Sequence, residues 1–496
     1  MRLRRNLLAG LVNSTWSALV TLAVVPLYLK YLGIEAYGLI GFFATTQALL
    51  QLLDLGLAPT INREVARHSA NGNLREAGSL LHTLAIIYWG TAGVIALAIF
   101  GLAPLIGDYW LQSRQIPKET VAGAVTLMGL VVACRWPIGL YQGVLMGAQR
   151  LTVSSWINVT MVTLGSFGAV GVLAFVSPTI QAFFAWQATV GLVYTATIRW
   201  AAWRVLGGTD AVRFDGGELK RIWRFSVGMS GVAVLAAVLM QLDKVLLSRM
   251  LSLEDFGRYA LAGLVANALL VLLTPIFNVI YPRLSELVAK GDTVELTRLY
   301  RSGTWLLSGI LFPIIVAAAV SSQDLIFFWT GNLELASSVA PIVSLLLIGT
   351  ALNGVMIFPY SLQLAYGATR LALLITVVLI VVFFPMIVIL VLSYGAVGGA
   401  FAWALLNGVY LVLGAWITHR NLLRGLAVRW LTHDVGLPLA LSSVIVLLGW
   451  ELAHVKGEHH TNLLLAGGLA LLAFLVCASI QKASLAKLRL PHEDHK

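Results

Sequence analysis

One arginine lies in the middle of a long apolar segment, where a charge needs a chemical reason. Arg135 belongs to the segment 120–146, and Gly139 and Gln142 follow it at helical spacing, which predicts that the three share one helix face. A charged side chain at the centre of a membrane helix costs about 2.5–3.5 kcal/mol. The guanidinium keeps its charge, and its planar fork of donors matches phosphate. Two interpretations stay open: Arg135 faces a wet cavity and binds an anion, or it joins two helices as a paired side chain.

Smaller polar side chains form stripes at helical spacing in four other apolar segments. The stripes are Asn6, Asn13, Ser17 and Thr21; Gln47, Gln51 and Asp54; Asn267, Thr274 and Asn278; and Thr350, Asn353 and Tyr360. Inside a membrane such stripes face other helices or a hydrophilic cavity. Because both halves of the chain contribute, we predict a cavity, with helix-to-helix contact as the alternative for any single stripe. The predicted substrate-binding residues are Arg135, Gln142, Asn13, Ser17, Gln47, Gln51, Asn267, Asn278 and Asn353.

Two neighbouring charges, Asp243 and Lys244, lie in the outer third of the segment 225–249. Adjacent residues on a helix do not face each other, so we expect no ion pair between them. Asp243, together with Asp54, is therefore a candidate for coupling transport to Na+ or H+. The two cysteines fall inside apolar segments and indicate neither a disulfide nor a metal site. No other cofactor and no catalytic residue is predicted.

The elements that position these residues follow from composition and from the length of the apolar segments. Of the 496 residues, 59% are hydrophobic and 11% charged, with a mean hydropathy of +0.88, whereas soluble domains carry roughly 25% charged residues. Segments of about 20 apolar residues, enough for a helix to cross a bilayer, recur along the chain. We predict an all-α polytopic membrane protein with about 14 transmembrane helices. The predicted spans are 6–29, 36–59, 79–106, 120–146, 151–176, 179–201, 225–249, 256–280, 303–328, 338–365, 371–393, 396–418, 435–454 and 461–481.

The distribution of Lys and Arg predicts how the chain crosses the membrane. With the N-terminus in the cytoplasm, 25 of the 33 basic residues fall on the cytoplasmic side, which agrees with the positive-inside rule. The net charge of +11 is therefore a topology signal, and nucleic acid is not an expected partner. Both termini are predicted to be cytoplasmic, with membrane lipids around the spans.

A repeat appears when the chain is compared with itself at an offset of about 219 residues. The matches are Glu35, Tyr37 and Gly38 with Glu254, Phe256 and Gly257; Tyr141 with Tyr360; Gly147 to Leu151 with Gly367 to Leu371; and Ala185 and Trp186 with Ala402 and Trp403. Six spans per half give two parallel-oriented lobes around a central cavity, where such transporters bind substrate. The predicted divisions are an N-terminal six-helix lobe 1–205, a cytoplasmic linker 206–224, a C-terminal six-helix lobe 225–420, and two additional transmembrane helices with a cytoplasmic tail, 421–496.

Several short stretches resemble the signatures of a known family. They are Pro26 to Gly38, Leu52 to Leu57 and Arg63 to Ala66 in the first half, and Gln241 to Ser248 and Phe256 to Tyr259 in the second. These stretches resemble the bacterial polysaccharide flippases of the O-antigen type, within the multidrug/oligosaccharidyl-lipid/polysaccharide exporter superfamily. The similarity covers the chain from its start to about residue 420.

The resemblance implies a flippase for surface polysaccharide such as the O-antigen of lipopolysaccharide. It would move an undecaprenyl-diphosphate-linked oligosaccharide from the cytoplasmic to the outer leaflet of the bacterial inner membrane by alternating access, with other glycan assembly proteins as partners. Arg135 would hold the diphosphate, and the polar stripes would contact the sugars. Some relatives couple to Na+ or H+ through an acidic residue to which Asp243 is similar. The chain departs from them in span 11, which is apolar from Leu371 to Leu392 where they place further cation ligands.

Other functions stay open at this point. A cation-coupled drug or small-molecule antiporter of the same superfamily would bury acidic groups, whereas the one deep charge here is Arg135. A membrane-embedded glycan polymerase or glycosyltransferase would need catalytic residues in a sizeable outer loop. The longest outer loop, near 107–119, holds little beyond Asp108, Arg114, Lys118 and Glu119. A scaffold for a glycan assembly complex is the third alternative. We predict a transporter without enzymatic activity.

Overall fold

The computed structural model describes residues 2–54, 56–71, 76–207, 235, 237–268, 270–455 and 457–489. These residues are helical almost throughout and contain no β-strand beyond an isolated bridge between Gln112 and Ser252. Because a bilayer offers no water to the backbone, a spanning chain must satisfy its polar groups internally, as a helix does. The predicted all-α membrane class is confirmed.

The helices form two compact units, Met1–Gly257 and Arg258–Lys496. The helices that begin in the first unit are α1 (Arg2–Leu50), α2 (Leu57–Ala70), α3 (Glu76–Leu105), α4 (Lys118–Arg135), α5 (Ile138–Gly147), α6 (Leu151–Phe175), α7 (Ile180–Leu206), α8 (237–250) and α9 (Leu253–Ala268). Most of the predicted linker 206–224 lies outside the described residues, so its role as a linker stays a prediction.

Helix α1 changes direction at Gly33, between the first two predicted spans. Gly33 has φ +78°, a left-handed conformation that glycine adopts without steric cost. Two residues later, the buried Glu35 carboxylate accepts hydrogen bonds from the backbone N–H groups of Arg114 (2.5 Å) and Gln115 (2.9 Å). A charged acceptor thereby holds the loop between α3 and α4 against the start of the second span.

A close helix crossing within the first unit depends on two glycines. A Cβ atom on Gly38 would overlap the carbonyl oxygen of Leu253, and a Cβ atom on Gly257 would overlap that of Ile34. The two contacts match each other at the repeat offset, because each glycine meets the carbonyl four residues before the other glycine. The start of α9 therefore packs on α1 backbone to backbone, which only small residues permit.

The second unit ends with the two additional helices that the sequence predicts. Its helices are α10 (Leu270–Lys290), α11 (Thr293–Val320), α12 (Ser322–Thr330), α13 (Leu333–Val355), α14 (Ile357–Ala365), α15 (Thr369–Val409), α16 (Ala415–Leu422), α17 (Ala427–Arg429), α18 (Leu437–Ala453) and α19 (His459–Arg489). A buried carboxylate attaches this end to α11: Asp434 accepts from Arg301 Nε (2.7 Å) and Nη2 (2.8 Å). Trp305 Nε1, one turn further, donates to the Cys477 carbonyl of α19 (3.2 Å).

Nine segments of the described residues are long and apolar enough to cross a membrane. Two of them, Leu8–Asp54 and Thr369–Leu422, contain kinks at Gly33 and Gly395, and each covers two of the predicted spans. The chain is therefore a multi-pass membrane protein. The count of fourteen crossings and the cytoplasmic placement of both termini stay predictions.

The helix order of the second half of the chain follows that of the first half at the predicted offset. Helix α5 corresponds to α14, and α2 corresponds to the second part of α10. The kink at Gly33 corresponds to the interruption between α8 and α9. The repeat that was visible in a few matching residues thus extends to the positions at which helices begin and end.

Candidate functional site

Arg135 is the last residue of α4, beside a break that a proline introduces. Pro137 separates α4 from α5, because it has no N–H group to continue the helical hydrogen bonds. The predicted span 120–146 is therefore divided into two helices, with Arg135 on one side of the break and Gln142 on the other. Both side chains nevertheless contact the same neighbour, α7.

Helix α7 presents small and polar residues to this break. Gln187, Gly191 and Thr195 follow one another at intervals of four residues and so share one face. Arg135 Nη2 donates to Gln187 Oε1 (2.5 Å), and a Cβ atom on Gly191 would lie 3.1 Å from Arg135 Cγ. Thr195 Oγ1 donates to the Cys134 carbonyl at the break (2.5 Å). The face of α7 therefore leaves space for the arginine and satisfies the interrupted backbone beside it.

The partner of Arg135 is neutral. Gln187 Nε2 donates to the Gly165 carbonyl of α6 (3.3 Å), which turns the amide oxygen towards the arginine. Among the described residues, no acidic side chain forms an ion pair with Arg135, which is half-buried. An amide dipole balances less charge than a carboxylate does, so the guanidinium still attracts an anion. The contact with Gln187 agrees with the interpretation that Arg135 joins two helices. Its alternative, an anion site in a wet cavity, stays a prediction.

A series of neutral hydrogen bonds continues from Gln142 across three more helices. Gln142 Nε2 donates to Tyr194 Oη (2.8 Å), and Tyr194 Oη donates to Asn158 Oδ1 (2.9 Å). Asn158 Nδ2 donates to Asn13 Oδ1 (2.6 Å) and lies 3.4 Å from Ser17 Oγ. The structure thus brings three predicted residues of α1 and α5 into one polar network, through side chains of α6 and α7.

The connecting residues Gln187, Tyr194 and Asn158 are not among the predicted site residues. A signal for two of them exists, because Gln187 and Tyr194 are seven residues apart, the same spacing as Arg135 and Gln142. Two helices with polar residues at equal spacing can pair along their length. Asn158 follows Ser154 and Ser155 at helical spacing, so α6 also carries a polar face in the sequence, although its partners depend on which helices pack together.

Asp54 has a structural task in the first unit. Its carboxylate accepts a hydrogen bond from the Tyr88 hydroxyl and another from the Ala58 N–H in the first turn of α2 (3.3 Å). A carboxylate at this position also stabilises the positive end of the helix dipole. The other members of its stripe, Gln47 and Gln51, are half-buried and exposed, respectively, and lie outside the polar network. The coupling role of Asp54 stays a prediction.

The expectation that Asp243 and Lys244 do not pair is wrong. Lys244 Nζ lies 3.3 Å from Asp243 Oδ1 and donates to the Met240 carbonyl (3.0 Å). The long lysine side chain turns back along its own helix, so the two charges meet although their backbone positions diverge. In the described part of the chain, no group of three or more His, Cys, Asp or Glu could hold a metal ion. Cation coupling through the buried Asp243 stays a prediction.

The predicted residues of the second unit do not form one network. Asn353 Nδ2 of α13 donates to Asn407 Oδ1 of α15 (2.8 Å), and Asn407 Nδ2 donates to the Trp403 carbonyl (2.8 Å). For the stripe of Thr350, Asn353 and Tyr360, the alternative to a cavity is a contact between helices, and Asn353 makes such a contact. Asn267 and Asn278, by contrast, are exposed. They remain candidates for binding substrate.

Comparisons with known proteins place this geometry in context. Residues 3–288, more than half of the chain, match the model of a family described as "Polysaccharide biosynthesis protein". A Shigella flexneri protein named as an O-antigen transporter is 23% identical over 405 residues, which cover 79% of this chain and 94% of the relative.

Two solved structures resemble the chain over most of its length. The lipid II flippase MurJ, in an inward closed conformation, has a TM-score of 0.70 at 14% identity and aligns over 97% of this chain and 100% of its own. A multidrug resistance MATE family transporter of the MOP superfamily, in an inward-facing conformation, has a TM-score of 0.68 at 12% identity over 82% and 94%. At these identities the likeness establishes the fold.

Proposed function

We propose, from the premise that this chain belongs to the polysaccharide biosynthesis protein family, that it is a flippase. Its proposed cargo is an undecaprenyl-diphosphate-linked oligosaccharide, which it moves from the cytoplasmic to the outer leaflet of a bacterial inner membrane. Alternating access of one binding site to the two sides is the proposed mechanism. The family description and the name of the Shigella flexneri relative support a transporter in this class.

Arg135 is the observation that carries the proposal. A diphosphate cannot enter hydrocarbon bare, because removing one ion from water costs tens of kcal/mol in the idealised limit. A guanidinium that is held only by the neutral Gln187 still attracts an anion, and its planar donors suit phosphate oxygens. In our proposal Arg135 takes the place of water around the diphosphate.

The neutral network beside the arginine suits the sugars. The side chains of Gln142, Tyr194 and Asn158 can each donate and accept hydrogen bonds, as sugar hydroxyls can. A hydrogen bond between two such residues can therefore be exchanged for one to the cargo. Each neutral bond contributes only about 0.5–1.5 kcal/mol net, so the exchange permits release as well as binding.

The chemistry of the described acidic residues favours this cargo over a cationic drug. Asp54 accepts hydrogen bonds from Tyr88 and the start of α2, and Asp243 is paired with Lys244. Both carboxylates thus already have partners, so neither is an unpaired anion that could bind a cationic drug. Coupling to Na+ or H+ through Asp243 is a separate proposal, which the apolar composition of 371–392 does not support.

Replacing Arg135 tests the proposal. Arg135→Ala should abolish glycan export while the protein still inserts and folds, and Arg135→Lys should restore only part of it, because an ammonium keeps the charge but loses the planar fork. Arg114→Ala removes the same charge from an exposed loop position and is the matched control.

The measurement is the leaflet in which lipid-linked oligosaccharide accumulates, probed with a membrane-impermeant lectin on right-side-out and inverted vesicles. Loss of function should leave the oligosaccharide on the cytoplasmic face. Normal export by Arg135→Ala would refute the assignment of Arg135. Accumulation in the outer leaflet would instead identify a polymerase or another enzyme that acts after flipping.

A further inference from the structure

A stack of three aromatic rings lies between α10 and α14 in the second unit. The rings of Phe277 and Tyr281 are nearly parallel, with centroids 5.4 Å apart and an interplanar angle of 5°. The centroid of the Tyr360 ring lies 6.3 Å from that of Phe277, at an interplanar angle of 27°. We name these three residues the aromatic shelf.

The aromatic shelf is not sealed inside the unit. All three residues are half-buried, and neither tyrosine hydroxyl forms a hydrogen bond to a described residue. The neighbouring Asn278 is exposed. The rings thus offer an apolar surface that has polar groups at its edge, the composition of most small-molecule sites.

The aqueous end of α10 is close to the aromatic shelf. Lys290 and Arg283 each donate to Glu286 at 2.5 Å, and these hydrogen bonds lower the pKa of its carboxyl to about 2. Because all three side chains are exposed and charged, this last part of α10 lies in water. A polar ligand can therefore reach Tyr281, which precedes Arg283 by two residues, without crossing hydrocarbon.

The first unit builds the corresponding helix pair without two of the three rings. At the repeat offset Phe277 corresponds to Ala58 and Tyr281 to Asn62. The helices α2 and α5 approach so closely there that a Cβ atom on Gly143 would lie 2.7 Å from the Ala58 carbonyl oxygen. The α2 side of this helix pair packs without Phe, Tyr or Trp, so Phe277 and Tyr281 of the second unit need another explanation.

The one ring position that both units share differs in exposure. Tyr141 of the first unit is fully buried, and its hydroxyl accepts a hydrogen bond from Trp89 Nε1 (3.4 Å). Its counterpart Tyr360 is half-buried against Phe277. The second unit has therefore an open tyrosine in a stack where the first has a core tyrosine.

We propose that the aromatic shelf of Phe277, Tyr281 and Tyr360 binds a pyranose ring of the glycan cargo by stacking, an inference that rests on the proposed function. One face of a pyranose is a patch of C–H groups, which the electron-rich face of an aromatic ring attracts. Its hydroxyls project from the ring edge, where Asn278 and the tyrosine hydroxyls provide hydrogen-bond partners. A tyrosine that only anchors the chain at the membrane surface needs no parallel neighbour.

The test compares two ligands on the full-length protein in nanodiscs. One is the lipid-linked oligosaccharide extracted from cells that lack this chain, and the other is undecaprenyl diphosphate without sugars. The variant Phe277→Ala combined with Tyr281→Asn installs the side chains of the first unit, which the same helix pair accommodates. We expect about tenfold weaker binding of the oligosaccharide-bearing lipid and an unchanged affinity for undecaprenyl diphosphate.

A second pair of variants and a control distinguish a loss of sugar binding from a loss of folding. Tyr360→Leu should reproduce the sugar-dependent loss and Tyr360→Phe should restore most of the affinity, because the ring is retained. Tyr394→Leu, at an exposed position of the same unit, should leave binding of both ligands unchanged.

Each outcome separates the aromatic shelf from the proposed function. Equal weakening of both ligands, or no change in either, overturns the role of the aromatic shelf. If the wild-type protein binds neither ligand, the proposed function fails. If undecaprenyl diphosphate binds and Arg135→Ala abolishes that binding, the proposed function stands whatever the aromatic shelf does.

Discussion

The exchange Gln187→Glu separates the two roles that Arg135 can have, because it leaves the shape of the side chain unchanged. Gln187 Oε1 already lies 2.5 Å from Arg135 Nη2, so one oxygen of the new carboxylate is in position to form an ion pair with the guanidinium. If Arg135 serves mainly to join α4 to α7, the stronger contact should preserve or improve function. If Arg135 holds an anionic cargo, the carboxylate competes with that cargo, and export should fail.

The expected magnitude follows from the two kinds of hydrogen bond. The present bond has one charged partner and contributes about 1.5–3 kcal/mol, whereas breaking a buried ion pair costs about 3–5 kcal/mol. The difference of about 1.5–2 kcal/mol corresponds to roughly a 10- to 30-fold loss of affinity for undecaprenyl diphosphate. The exchange also replaces the donor to the Gly165 carbonyl (3.3 Å) with an acceptor that this carbonyl repels. The loss offsets part of the ion pair, so the melting temperature should change little.

Binding of undecaprenyl diphosphate to the protein in nanodiscs, thermal melting, and glycan export in cells together make the assay. Gln181→Glu introduces the same charge elsewhere on α7 and should not affect binding. Wild-type export and binding by Gln187→Glu would refute our account of Arg135 as an anion site and leave the contact between helices as its only role.

Two further predictions concern the stability of the units. Gly38→Ala should destabilise the protein by about 1–3 kcal/mol and lower its melting temperature, because the new Cβ atom overlaps the Leu253 carbonyl oxygen. Gly263→Ala is the control, since Gly263 has open space around it. Equal melting temperatures of the two variants would contradict the close helix crossing. Asp434→Asn should leave Arg301 without its counter-charge and lower the free energy of unfolding by about 3 kcal/mol. The residues from 421 onward should then become sensitive to protease at a lower temperature than in the wild type. Wild-type proteolysis kinetics would contradict this attachment.

The sequence predicts well what depends on local properties. Span length, apolar composition and glycine positions are set along the chain, so the all-α class and the repeat follow from them. The pairing of Lys244 with Asp243 depends on side-chain torsions that spacing does not determine. The role of Asn158 depends on the packing of α6 between α1 and α7. A stripe of polar residues in the sequence identifies the polar face of a helix. The residues that this face contacts depend on how the helices pack in the tertiary structure.

The repeat supplies an internal control for the site, because the second unit builds the same helices without the polar set. At the repeat offset Arg135 corresponds to Gly354, and the match of Ala185 and Trp186 with Ala402 and Trp403 makes Ala404 the counterpart of Gln187. Gly354 packs among leucines, so this fold does not need a charge at that position. A cation that costs about 2.5–3.5 kcal/mol in a membrane, and that the equivalent helices lack, is better explained by a ligand than by folding. The aromatic shelf is the converse case, because Phe277 and Tyr281 have no aromatic counterpart in the first unit. Each unit therefore carries a chemical feature that its repeat lacks, and a feature that the shared fold does not require is best explained by what that unit binds.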